Sequence, residues 1–174
     1  MTGKTHAAAG AFVGAAAGQV VGAPIVGLLL GALAGLLPDI DHPGSILGRK
    51  VKPVSIAVNV MAGHRGITHT IWFCGAAAVG MALISAAVEP ILEAVIPWPS
   101  PLAVGFIFFL GTLSHLLLDG MTISGVEPFY PVRLPGCLAW LQHPRGPIKT
   151  GTELIELPLI FMFIVLSLKA GGVL

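Results

Sequence analysis

The sequence predicts an all-α protein: a polytopic transmembrane helical bundle of about five spans, led by a glycine-rich N-terminal helical hairpin. Three observations carry that prediction. Hydrophobic residues make up 55% of the 174 and charged residues only 10%, too little polar surface to cover a soluble globule of this size. The apolar residues fall in long runs separated by short Pro- and Gly-rich breaks. Glycine also recurs every fourth residue in two unbroken registers, Gly10, Gly14, Gly18, Gly22 and then Gly27, Gly31, Gly35, which gives each helix a stripe without side chains and brings two backbones close. The chain reads as one domain, 1–174.

Taken in order, His6 to Leu37 is almost wholly apolar and as one straight helix would run about 48 Å, well beyond a bilayer core. Pro24, preceded by Gly22, supplies the break, giving helices over about 6–21 and 24–37. The run lacks the cationic start and cleavage site of a signal peptide, so the N-terminus is expected to stay attached. Residues 44–63, with Arg49, Lys50 and Lys52, read as a connection outside the hydrocarbon. A third span is expected over about 68–88, with Thr68 as its N-cap, and a fourth over 102–118 after a turn holding Trp98. Residues 120–152, rich in Gly and Pro, read as an ordered surface loop, and 154–168 as a fifth span.

Crossing alternately from His6, these spans place every polar cluster on the N-terminal face. Eight of the nine Lys and Arg residues (Lys4, Arg49, Lys50, Lys52, Arg65, Arg133, Arg145 and Lys149) fall on that face and only Lys169 on the other. The positive-inside rule then predicts a multi-pass plasma (inner) membrane protein whose polar clusters face the cytoplasm. With a net charge of +1 and no basic stripe, nucleic acid is excluded as a partner. Cys74 and Cys137 form neither a zinc-type pair nor a disulfide framework.

The clusters carry metal-site chemistry. His115 and Asp119 are i and i+4 on a helix, so both project from one face and can grip one ion. Asp39, Asp41 and His42 follow directly on a helix; carboxylates there oppose the helix dipole, and the mix of oxygen and nitrogen donors suits Zn, Mn or Fe. One of the two aspartates can bridge ions while the other orients a histidine. His64 and His69 share a face if His64 lies in the turn before the helix and His69 in its first turn. Arg65 between them suits a phosphate or carboxylate through its paired N–H groups. Taken alone His6 reads as an interface residue, Glu153 and Glu156 as carboxylates at a helix start, and His143 as a loop residue.

Leu37-Pro38-Asp39-Ile40-Asp41-His42-Pro43, Gly63-His64-Arg65-Gly66-Ile67-Thr68-His69 and Leu113-Ser114-His115-Leu116-Leu117-Leu118-Asp119, followed by Gly125-Val126 and Pro128-Phe129-Tyr130-Pro131, resemble the YdjM family of membrane-bound metal-dependent hydrolases. Thr5-His6 and Thr150-Gly151-Thr152-Glu153 look like its outer two motifs. The resemblance implies a relation to the helical zinc-dependent phospholipase C and single-strand nuclease group, whose clustered zinc ions are bound by His and Asp, including a helical His-x-x-x-Asp that His115 and Asp119 match.

Together these readings give a membrane hydrolase with a two- or three-metal site, zinc first among divalent ions, that cleaves a phosphoester of a small molecule or, more plausibly, of a membrane lipid. His6, Asp39, His64, His69, His115, Asp119 and Glu153 are expected to hold metal, Arg65 to stabilise charge on phosphoryl oxygens, and Asp41 and His42 to orient ligands or act as general acid. A metal-ion transporter and a non-catalytic protein with a structural metal are the rival classes. A transporter would gather its ligands near the bilayer midplane on broken helices, whereas these clusters gather at one edge.

Overall fold

The computed structural model describes residues 1–62 and 66–173. It contains five long helices and two short ones: α1 (Gly3–Val20), α2 (Pro24–Leu36), α3 (Ile46–Lys50), α4 (Lys52–Ala62), α5 (Ile71–Leu92), α6 (Pro101–Gly120) and α7 (Glu153–Ala170). Short 3-10 turns cover Pro38–Asp41, Ile67–His69 and Gly136–Leu141. No strand occurs among the described residues beyond an isolated bridge between Thr122 and Ile148.

The helices α1 and α2 form the hairpin that the glycine registers predict. A Cβ on Gly14 would lie 2.7 Å from Gly31 Cα and fall on the carbonyl oxygen of Gly27; a Cβ on Gly10 would fall on that of Gly31, and one on Gly35 on that of His6. The two stripes therefore interlock backbone to backbone, at separations that exclude any side chain. Gly22 does not belong to the seam: it takes φ +75 in the turn, with open space around it. Pro24 begins α2, where its missing N–H costs nothing. The stripe extends to a third helix, because Gly111 of α6 packs against Ala34 and the backbone of Gly31.

Around this hairpin α6 packs on both α1 and α2, α7 packs on α1, and α5 packs on α6. Among the described residues three helical segments are long and apolar enough to cross a membrane, Pro24–Asp41, Ile71–Leu92 and Pro101–Gly120. Expected as spans too, α1 and α7 are 18 residues long. However, α1 is built largely of Gly and Ala, and α7 carries Glu153, Glu156 and Lys169, which lowers the mean apolarity of each.

Two boundaries differ from the sequence reading. Residues 44–63 are not a plain connection, since α3 and α4 fill most of it. Ser45 caps α3, accepting from Gly48 N–H at 2.8 Å while donating to the Asp39 carbonyl at 2.8 Å. Thr70, not Thr68, is the N-cap of α5, accepting from Phe73 N–H at 3.2 Å. Thr68 sits in the preceding 3-10 turn and turns its hydroxyl inward. The loop after α6 is ordered by its own backbone, Ile123 N–H donating to Ile148 O at 2.9 Å, and is tied to the start of α5 through Ile71 N–H and Pro128 O at 2.8 Å.

Candidate metal centre

One end of the bundle gathers side chains from four separate stretches: His6 from α1, Asp39 and Asp41 from the turn after α2, His69 from the turn before α5, and His115 and Asp119 from the last turns of α6. His6, Asp41, His69, His115 and Asp119 are buried, each 1% exposed or less. The Asp39 side chain keeps 18% exposure. Three overlapping trios from this set can hold a metal ion: His6, Asp39 and His115; His69, His115 and Asp119; Asp39, Asp41 and His69.

The hydrogen bonds fix how the imidazoles face the centre. His115 Nδ1 donates to the carbonyl oxygen of Gly35 at 2.7 Å, which leaves Nε2 with its lone pair inward. His69 Nδ1 lies 3.2 Å from Asp41 Oδ2, and Thr68 Oγ1 donates to that same carboxylate oxygen at 2.6 Å. A carboxylate on Nδ1 likewise draws the His69 proton outward and turns Nε2 inward, toward His115. Asp41 thus sets the orientation of the His69 ring.

At the centre His69 Nε2 and His115 Nε2 stand 3.2 Å apart. Asp39 Oδ1 is 3.8 Å from the first and 3.7 Å from the second, and Asp119 Oδ2 is 3.7 and 3.8 Å from them. Four donors at zinc-ligand distance in a tetrahedron are about 3.3–3.4 Å apart, so these separations suit a small divalent ion. Two imidazole lone pairs facing each other repel, and a cation between them removes that conflict. His6 adds a second one: its ring stacks on His115 with centroids 3.6 Å apart, and neither of its buried nitrogens makes a hydrogen bond of good geometry, although Nε2 approaches Asp119 Oδ1 to 3.2 Å. Buried polar atoms without partners are rare and ask for an occupant. The donor set fits a divalent metal.

The remaining predicted residues, where described, lie outside this cluster. His64 and Arg65 are outside the described residues. His42 is exposed and lines a cavity of about 510 Å³ that also reaches Asp39, Lys4 and Arg49. Glu153 is exposed, lines the same cavity and stands outside the three trios. His143 pairs with Glu127 at 3.3 Å on the surface, far from burial.

Sequence reasoning set Glu156 beside Glu153 as a helix-start carboxylate and chose Glu153 for the site. One turn beyond Glu153 and 3% exposed, it accepts from Thr5 Oγ1 at 2.6 Å, Thr2 N–H at 2.9 Å, Gly151 N–H at 2.7 Å and the Thr2 hydroxyl. It clamps the start of α1 to α7, and so fixes the helix that carries His6. The signal was there: a glutamate inside the apolar run of α7 is costly unless satisfied, and Thr5 beside His6 offers a donor. Asp119 is held in turn by the amino nitrogen of Met1 at 2.6 Å from Oδ1.

An all-helical membrane protein with a buried His/Asp centre at one end of the bundle is the class that fold and site define. The chain matches the family model described as YdjM inner membrane protein over residues 1–173 and belongs to that family. It is 34% identical over 140 residues to the uncharacterized protein YvsG of Bacillus subtilis (strain 168), covering 78% of this chain and 79% of that protein. It is 36% identical over 100 residues to the inner membrane protein YdjM of Escherichia coli (strain K12), covering 56% of this chain and 45% of that one, so it spans less than half of that relative's length. The YdjM of Shigella flexneri is similar to the same extent. No solved structure matches the chain.

Proposed function

We propose that this protein is a membrane-bound, metal-dependent hydrolase that cleaves a phosphoester, with a membrane lipid as the preferred source of substrate and zinc as the first choice of ion. The observation that carries the reading is the pair of inward Nε2 atoms of His69 and His115, 3.2 Å apart and flanked by Asp39 and Asp119. A purely structural ion would sit well in a sealed site. This one opens on the side of Asp39, whose carboxylate belongs both to the buried set and to the wall of the 510 Å³ cavity.

In that arrangement each residue has a task. His69, His115, Asp39 and Asp119 hold the ion, and His6 completes its surroundings from the α1 side. Bound there, the ion supplies Lewis acidity toward a phosphoryl oxygen and activates water. Asp41 keeps His69 in the right tautomer. In the cavity Lys4 and Arg49 bring positive charge for phosphate oxygens, His42 is placed to give or take a proton, and Leu157 and Ile160 on the α7 side give the same cavity an apolar wall suited to an acyl chain. Arg65, four residues before His69, is proposed as a second anion contact. The site faces the cytoplasm in this reading.

The test is metal analysis of purified protein joined to a screen of lipid phosphoesters. Stoichiometric zinc or manganese, lost in His69→Ala and His115→Ala together with release of phosphate or a phosphorylated headgroup, supports the proposal. A protein that binds no divalent ion, or that binds it and turns over no phosphoester, refutes it.

A further inference from the structure

Helix α4 is built inside out for a water-facing connection. Its two uncharged polar side chains point into the protein: Ser55 is wholly buried, and Asn59, one turn on, donates from Nδ2 to the Asp41 carbonyl at 2.7 Å. Its outer face is apolar. Met61 is 87% exposed and Val60 79%, with Val54 and Ile56 about half exposed; at 100° per residue Val54, Val60 and Met61 lie on the side away from Ser55 and Asn59, with Ile56 at its margin. Just before this face, Arg49, Lys50 and Lys52 put three exposed cations within four positions.

Length and position narrow what can cover such a face. Eleven residues of helix make about 16 Å, half a bilayer core, so α4 cannot cross. It follows the membrane-length segment Pro24–Asp41 and precedes Ile71–Leu92, so it lies at the depth where two membrane-length helices end. An apolar face with a cationic edge at that depth is the composition of a helix lying in the plane of the interface, where apolar side chains enter the acyl boundary and Lys and Arg meet anionic head groups.

We infer that α4 is an in-plane membrane helix whose outer face is embedded in an anionic lipid leaflet. This corrects the expectation that the whole of residues 44–63 stays clear of the hydrocarbon. It also has a consequence for the metal centre, through one bond. The Asn59 amide holds the Asp41 carbonyl, and Asp41 orients His69, so the seating of α4 in the leaflet braces the turn that carries both aspartates. The inference needs neither hydrolysis nor a bound ion.

The experiment labels Val60→Cys and Met61→Cys separately with a polarity-sensitive fluorophore, in a Cys137→Ser background, in nanodiscs of phosphatidylcholine and phosphatidylglycerol; Cys137 itself, exposed in the loop, serves as the aqueous control. Brominated acyl chains should quench both α4 labels, and aqueous iodide should quench them several-fold less than the label on Cys137. In pure phosphatidylcholine, or with Lys50→Gln and Lys52→Gln together, the lipid quenching should weaken. Iodide quenching equal to that of Cys137 overturns the inference, as an aqueous face. Shielding from both quenchers that disappears when nanodiscs are reconstituted with one chain each also overturns it, in favour of a second copy as the cover.

Discussion

The Nδ1 of His115 donates to the carbonyl oxygen of Gly35 at 2.7 Å, joining residues 80 apart in the chain. Gly35 closes the seam of the α1–α2 hairpin, where a Cβ would fall on the carbonyl of His6. One glycine therefore does two things: its backbone oxygen sets the tautomer of His115, and its missing side chain lets α1 come near enough for His6 to stack on that same ring.

Substituting Gly35→Ala should lower metal content without touching a ligand, because the new methyl group forces α1 off α2 and draws His6 away from His115. Gly31→Leu should do the same and more strongly, since its seam contact is with the backbone of Gly10 and Gly14. Phe161→Leu, on the outward face of α7 at 70% exposure, is the silent control. Metal per polypeptide by mass spectrometry is the measurement, and full occupancy in both glycine variants would separate the seam from the site.

The ligands and the residue that orients one should differ in degree. His115→Ala and Asp119→Ala each remove a donor from the centre and are expected to abolish stoichiometric binding. Asp41→Asn leaves the donors in place but withdraws the carboxylate from His69 Nδ1, and should weaken metal affinity by about 10–100-fold. Competition with a chelator of known affinity reads the difference; equal loss in all three would place Asp41 among the ligands.

Glu156→Gln should destabilise the fold by about 1–3 kcal/mol, because an amide group facing donors leaves buried hydrogen-bonding groups unsatisfied. Glu153→Gln, on the exposed side of the same helix turn, should leave the melting temperature where it was. Thermal unfolding in detergent distinguishes the two, and the ranking reverses if Glu153 is the carboxylate that matters.

For topology, a cysteine at residue 47 should be protected from a membrane-impermeant maleimide in intact cells, and one at Val95, 79% exposed between α5 and α6, should be labelled. The eight-to-one distribution of cations motivates this. The opposite labelling pattern would turn the metal centre to the outside.

How much of this was legible beforehand depends on the range of the interaction. The hairpin could be read at a distance because its cause is local and periodic: six of the seven register glycines, four residues apart within each helix, leave two helices little choice but to meet along them, and Gly22 serves the turn between. The membrane class followed from composition, and His115 with Asp119 from helical geometry, where i and i+4 share a face whatever the rest of the chain does. Thr68 illustrates the limit. As a sequence it is a good N-cap, but Thr70 does the same job two residues later, and only the approach of Asp41 decides which hydroxyl turns inward. Glu153 and Glu156 pose the same problem: both suit a helix start, and the register of α7 against α1 selects the second for burial beneath Thr2 and Thr5.

By itself, then, the sequence determined the all-helical membrane class, the glycine seam and the types of donor available, because these rest on composition and on spacing within one helix. The tertiary structure alone decided which nitrogens face the centre, that Asp41 rather than Asp39 lies against His69 Nδ1, that Glu156 clamps α1, and that α4 turns its polar face inward. Those outcomes depend on groups dozens of residues apart arriving within about 3 Å of one another, and hydrogen-bond energy falls off too steeply with distance and angle for sequence spacing to specify them.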